Sequence, residues 1–163
     1  MSGTDLSSDS PSEVVQPTYL ENGDPARVLT DFAFNTVAAS SYFPVWLERL
    51  ADDVTLEGSM MNGAVQGPEA TRAIVGQIRT LYEHQQFIFA GPYGENGFLE
   101  IYNAQVRGEP LGAVVQVTRN AAGQAQHVVA GYRPRSALLM FSRLLGEKFA
   151  GTPYAKYFLA SES

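Results

Sequence analysis

The sequence predicts an α+β domain, with helices first, an antiparallel run of strands after them and a helix towards the C-terminal end. Three observations predict it. Ahead of residue 83, apolar residues recur at helical spacing. From Gln86 to Arg133, turn-forming clusters divide β-rich segments about every 10–13 residues. From Ala137 to Phe149 the helical period returns.

Asp24-Pro25 opens the first expected helix, a carboxylate cap followed by a proline at a position that needs no N–H. Val28, Leu29, Phe32, Ala33 and Val37 give it one apolar face. A second, shorter helix is expected after Ser40 or Ser41, with Pro44 in its first turn and Phe43, Trp46, Leu47 and Leu50 on its face. Leu50-Ala51-Asp52-Asp53 closes that helix, and Val54 to Met60 reads as a strand. Asn62-Gly63 is a hairpin-turn dipeptide that returns the chain through Ala64-Val65-Gln66. Gly67-Pro68-Glu69 starts the third helix, with Ala70, Ala73, Ile74, Ile78, Leu81 and Tyr82 in one stripe. Strands follow around Phe87-Ile88-Phe89, over Phe98 to Val106, Leu111 to Arg119 and Gln126 to Arg133. Pro134 ends the last of them. The closing helix carries Leu138, Phe141, Leu144, Leu145 and Phe149, and Gly151-Thr152-Pro153 stops it.

Composition bounds the function. The chain has 163 residues, 45% of them apolar and 17% charged, enough for one domain with a sizeable core. A net charge of −6 argues against a nucleic-acid binder, which needs a basic face. With no cysteine there is no disulfide, thiolate metal site or cysteine nucleophile. No apolar run approaches the roughly 20 residues of a membrane span, and no basic-then-apolar leader is visible, so a cytoplasmic protein is expected. The charge is uneven. Residues 1–24 hold five acids and no base, and residues 1–16 read as a flexible acidic tail. Arg133, Arg135, Arg143, Lys148 and Lys156 make the C-terminal part basic. Its apolar surface is expected to pack on the domain or on a second copy rather than on a membrane.

The order helix, helix, Leu50-Ala51-Asp52-Asp53-Val54-Thr55-Leu56-Glu57, hairpin, Gly67-Pro68-Glu69-Ala70, long helix and four strands resembles the nuclear transport factor 2-like superfamily, and within it the SnoaL-like group. The resemblance covers residues 24–134, with 135–163 as a helical extension. It implies a cystatin-like fold, a cone-shaped curved antiparallel sheet wrapped on three N-terminal helices, with an apolar cavity and frequent homodimers. Ketosteroid isomerases, polyketide cyclases, limonene epoxide hydrolases, dehydratases and non-catalytic binding proteins share that fold, which therefore does not fix function.

The resemblance also allows the known chemistry to be tested position by position. The general-base carboxylate of ketosteroid isomerases falls at Gly58, and their oxyanion-hole acid falls near Val115. The first-strand Tyr and Asn of limonene epoxide hydrolases fall at Leu56 and Gly58, and their last-strand acid at about Ala130 or Gly131. Both catalytic sets are missing. If Leu56 and Gly58 face the cavity, Glu57 faces away and is an outer-face carboxylate rather than a base. Asp52 and Asp53 are expected to cap a helix-to-strand turn. His84 is expected at the end of the third helix. His127 shares parity with Val129 and Gly131, which the resemblance puts inside, so it is the candidate acid–base residue beside a tyrosine. The plainer alternative is a hydrogen-bonded histidine at a strand start.

The ligand-lining candidates are Trp46, Leu56, Gly58, Tyr82, Tyr102, Val115, His127 and Gly131. Tyr42, Phe43, Phe87 and Phe89 add aromatic surface, and Tyr132-Arg133-Pro134 is expected at the rim. No histidine spacing supports a metal, and no cofactor is expected. Three readings stand: a protein binding a small apolar molecule without the recognised carboxylates; an isomerase, cyclase, dehydratase or hydrolase using His127 and a tyrosine; and a protein-interaction module.

Overall fold

The computed structural model describes residues 36–37 and 43–160. Among the described residues, seven strands form one sheet in the order β1-β4-β5-β6-β7-β2-β3. They are β1 (Thr36–Val37), β2 (Leu50–Gly58), β3 (Val65–Gln66), β4 (His84–Tyr93), β5 (Gly97–Val106), β6 (Glu109–Arg119) and β7 (Ala125–Arg133). Helices α1 (Pro68–Leu81) and α2 (Arg135–Lys148) cover its inner face.

The meander forms where the turns require it. Arg107 and Gly108 both have positive φ, 49° and 78°, the mirror-image turn that matches the twist of a two-residue hairpin. Val106 therefore pairs with Glu109, and β5 and β6 stay in register along their whole length. Helix α1 starts at Pro68, behind Gly67 at φ 103°, a conformation that suits glycine. Ala70, Ile74, Val75 and Ile78 bury its apolar stripe against β2 and β3. Helix α2 packs on β6, β7 and α1, with Phe141 and Leu145 fully buried.

The sheet is mixed, not purely antiparallel. β2 runs parallel to β7, with Leu56 opposite Val128 and Gly58 opposite Ala130. The expected second helix is only one 3-10 turn, Val45–Glu48, and the strand after it starts at Leu50. The physical reason lies across the sheet: Ala125 N–H donates to the Arg49 carbonyl at 2.7 Å and draws the chain into pairing four residues early. Asp52 and Asp53 consequently stand on a strand, exposed, rather than at a capping turn. His84 opens β4 instead of ending a helix, because α1 ends at Leu81. Val37, placed by its spacing in the first helix, is a strand residue opposite Gln85. The rest of that helix and the acidic tail lie outside the described residues. Among the described residues no helix is long and apolar enough to cross a membrane.

Candidate functional site

Strand register stacks the inward side chains in rungs. One rung runs Phe87, Tyr102, Ala113, Tyr132 across β4 to β7. The next runs Ala90, Glu100, Val115, Ala130 and reaches Gly58 on β2. A third holds Phe98, Val117, Val128 and Leu56. Small residues between large ones leave an interior space. It is lined by Trp46, Leu56, Val75 and Ile78, by the polar residues Tyr82, Tyr102, Tyr132, Gln85, Glu100 and Arg79, and by Val115, Val128 and Ala130. The atom-free space is about 430 Å3 with its open mouth counted in.

Three phenols meet on this wall. Ala113, fully buried between Tyr102 and Tyr132, leaves room for Tyr82 to reach both from the C-terminal end of α1. Tyr82 and Tyr102 share a hydrogen bond of 2.8 Å, and the Tyr82 hydroxyl donates to Tyr132 at 3.1 Å. A phenol has one proton. Tyr82 spends its proton on Tyr132, so Tyr102 must donate to Tyr82. The proton of Tyr132 is the one left over, at the cavity wall. Phe141 holds the cluster from behind, stacked on Tyr82 at 6.0 Å and tilted on Tyr132 at 4.9 Å.

Burial raises the pKa of all three phenols. Tyr82 and Tyr102 are pushed well above the usual value, their neighbours' charges adding to the effect. Tyr132 is pushed up only to about 12, because the hydrogen bond it accepts from Tyr82 favours its anion and offsets part of the burial. Of the three hydroxyls, Tyr132 is therefore the one best able to share negative charge. All are protonated at neutral pH.

One rung away, Glu100 is almost completely buried and accepts a hydrogen bond from Trp46 Nε1 at 3.1 Å. Gln85, on β4, is equally buried and lines the same space. The Arg79 guanidinium stands 5.0 Å from the centre of the half-exposed Phe43 ring.

Of the residues expected to line the cavity, Trp46, Leu56, Tyr82, Tyr102 and Val115 do so. His127, Gly58 and Gly131 are not among the lining residues. Val128, Ala130 and Tyr132 take the inward parity of β7, which turns His127, Val129 and Gly131 outward. His127 is nearly half exposed and sits 3.5 Å from Glu57 on the outer face, so it cannot act on anything in the cone. A Cβ on Gly58 would come within 2.5 Å of the Ala130 carbonyl, leaving no room there for a side chain without a backbone shift. Tyr132 belongs to the interior rather than the rim. Phe87 packs on Tyr102, whereas the bulge at Ile88 turns Phe89 outward opposite Ile101. Tyr42 lies outside the described residues. Sequence reasoning missed Glu100, Gln85 and Arg79. Alternation from Tyr102 was a signal sufficient to find Glu100. Among the described residues no three His, Asp or Glu side chains cluster as a metal site.

No family model matches the sequence, and no curated protein matches it. Solved structures do match. A steroid Δ-isomerase from Pseudomonas aeruginosa aligns at 16% identity over 64% of this chain and 77% of its own, with a TM-score of 0.60. An uncharacterised bacterial protein with a cystatin-like fold from Silicibacter pomeroyi aligns at 15% identity over 71% and 81%, with a TM-score of 0.62. A de novo designed protein with a curved β-sheet aligns at 14% identity over 73% and 94%, with a TM-score of 0.52. At such identities the likeness establishes the fold alone, which is the cystatin-like one.

Proposed function

We propose, taking that fold as the premise, that the protein binds a small, largely apolar molecule in the cone, with an oxygen of that molecule accepting the Tyr132 proton. The observation that carries this reading is the phenol chain Tyr102 to Tyr82 to Tyr132, which leaves one donor unspent on an apolar wall. Pockets for small molecules are mostly apolar with a few convergent polar groups, and this cavity has that make-up. Each donated hydrogen bond polarises the next hydroxyl, so the last donor is the strongest. The ligand group that suits it is a carbonyl.

Native mass spectrometry of the purified protein, followed by calorimetric titration with acetophenone as a single-ring ketone, tests this. A saturable heat in the wild type that disappears in Val115→Phe, whose larger side chain fills the cavity, supports the reading. No co-purified mass and no heat would reject it.

Glu100 favours a second reading, an acid–base enzyme in which it takes a proton from the carbon beside that carbonyl while Tyr132 holds the oxygen. It replaces the version that relied on His127. Exchange of the acetophenone methyl protons in D2O, read by NMR, supports it if Glu100→Gln abolishes the exchange. Exchange no faster than in buffer removes it. A homodimer is also proposed, with the second copy against the outer face of the sheet, where Leu99, Ile101, Val114 and Val129 are only partly buried. Sedimentation equilibrium at twice 17.7 kDa is the expected result, and a monomer mass refutes it.

A further inference from the structure

Four polar or charged residues are buried among the described residues: Thr71, Gln85, Glu100 and Ser142. Three have visible hydrogen bonds. The Thr71 hydroxyl donates to the Gly67 carbonyl, and the Ser142 hydroxyl donates to the Met60 carbonyl and accepts from Leu159 N–H. Glu100 accepts from Trp46. Gln85 is the exception. Its Oε1 has no surface open to solvent and no hydrogen-bond partner among the described residues.

An amide oxygen buried in this way forfeits the hydrogen bond it makes to water in the unfolded chain, and native proteins keep such atoms rarely. The backbone gives it no freedom to turn away. Gln85 stands in the body of the sheet, opposite Val37 on one side and Ala104 on the other. Its side chain lines the cavity that holds Tyr132. An apolar residue of similar size would fill that place without stranding an acceptor. Two groups on residues that line this space are therefore unmatched, the Tyr132 proton and the Gln85 Oε1.

We propose that Gln85 determines specificity: its Oε1 accepts a hydrogen bond from a hydroxyl of the bound molecule, so the ligand class is a small hydroxyketone. This rests on the reading of the cone as a binding site and adds a requirement that reading does not contain. A ligand with only the carbonyl leaves Gln85 stranded, and a site built to hydrogen-bond a hydroxyl discriminates against the analogue that lacks it.

The test is calorimetric titration of the wild type and Gln85→Leu with acetophenone, 3′- and 4′-hydroxyacetophenone and the two corresponding methoxy compounds. In the wild type one hydroxy isomer binds roughly tenfold tighter than acetophenone, as one buried hydrogen bond warrants, and its methoxy counterpart shows no gain. In Gln85→Leu that ratio falls to about one. Circular dichroism confirms that the variant is folded, and the ratio within each protein is the readout. If acetophenone binds but no hydroxy isomer gains, or if the gain survives in Gln85→Leu, the Gln85 assignment is wrong and the cone reading stands. If the gain appears only with the methoxy compounds, the amide presents its N–H and the assignment is overturned in the same way. If none of the five binds, both readings fall.

Discussion

Tyr82→Phe removes one oxygen atom and tests the proton order of the phenol chain. The structure sets the size of the effect. The Tyr82 hydroxyl makes buried hydrogen bonds of 2.8 Å to Tyr102 and 3.1 Å to Tyr132. Each such bond contributes about 1 kcal/mol net, and stranding the Tyr102 proton adds about 1–2 kcal/mol of unmatched desolvation. The expected loss is about 3 kcal/mol, or roughly 6–12 °C in melting temperature for a chain of this size. Tyr132→Phe breaks one bond rather than two, and its expected loss is about 1–2 kcal/mol. Urea unfolding followed by Trp46 fluorescence measures both, since the chain has one tryptophan and it lines the cavity. The triple variant with phenylalanine at positions 82, 102 and 132 is the sharper arm. It strands none of the three hydroxyls, so its loss should fall well below the sum of the single losses. A loss under about 1 kcal/mol for Tyr82→Phe, or strict additivity in the triple variant, would refute the chain.

Two further predictions concern pH and the outer face. An acid whose pKa is raised by folding binds more protons folded than unfolded once the pH exceeds its unfolded value, so stability falls there. For Tyr132 the window runs from the ordinary 10 to about 12, with a loss of about 2–3 kcal/mol across it. Denaturant midpoints at pH 9, 10 and 11 should decline in the wild type and decline less in Tyr132→Phe; equal slopes would contradict this assignment. His127→Ala breaks a 3.5 Å contact between two half-exposed side chains, so calorimetry should find stability changed by less than about 0.5 kcal/mol and acetophenone affinity unaltered. A lost ligand response in that variant would return His127 to the site.

Elements with local signals were legible in the sequence. Pro68 behind Gly67, the turn at Arg107-Gly108 and the apolar stripe of Ala70, Ile74 and Ile78 each carry their own cause, and the helix and hairpin formed where those residues demand. The short stretch at Trp46, Leu47 and Leu50 did not read correctly, because three apolar residues fit a helix turn and a strand approach equally well. What decides it is Ala125, some 75 residues away, bonding to the Arg49 carbonyl. The parallel pairing of β2 with β7 is invisible for the same reason: register between distant strands has no local trace.

Parity explains the errors at the site. β7 offers Val128, Ala130 and Tyr132 on one face and His127, Val129 and Gly131 on the other, so hydrophobicity alone cannot say which face is inside. The cross-strand partners decide, since Ala113 and Val115, both buried, lie opposite Tyr132 and Ala130. The missing carboxylates show the same lesson in reverse. Gly58 has no room for a side chain and Val115 has no charge, and from those two positions the cavity looked free of acids. Yet Glu100 is the direct cross-strand partner of Val115, buried on the same rung. An acid one strand over reaches nearly the same space, because adjacent strands lie about 5 Å apart and a glutamate side chain spans much of that distance. Position-by-position comparison with known chemistry therefore finds lost residues but not displaced ones, and in a curved sheet the unit to compare is the rung.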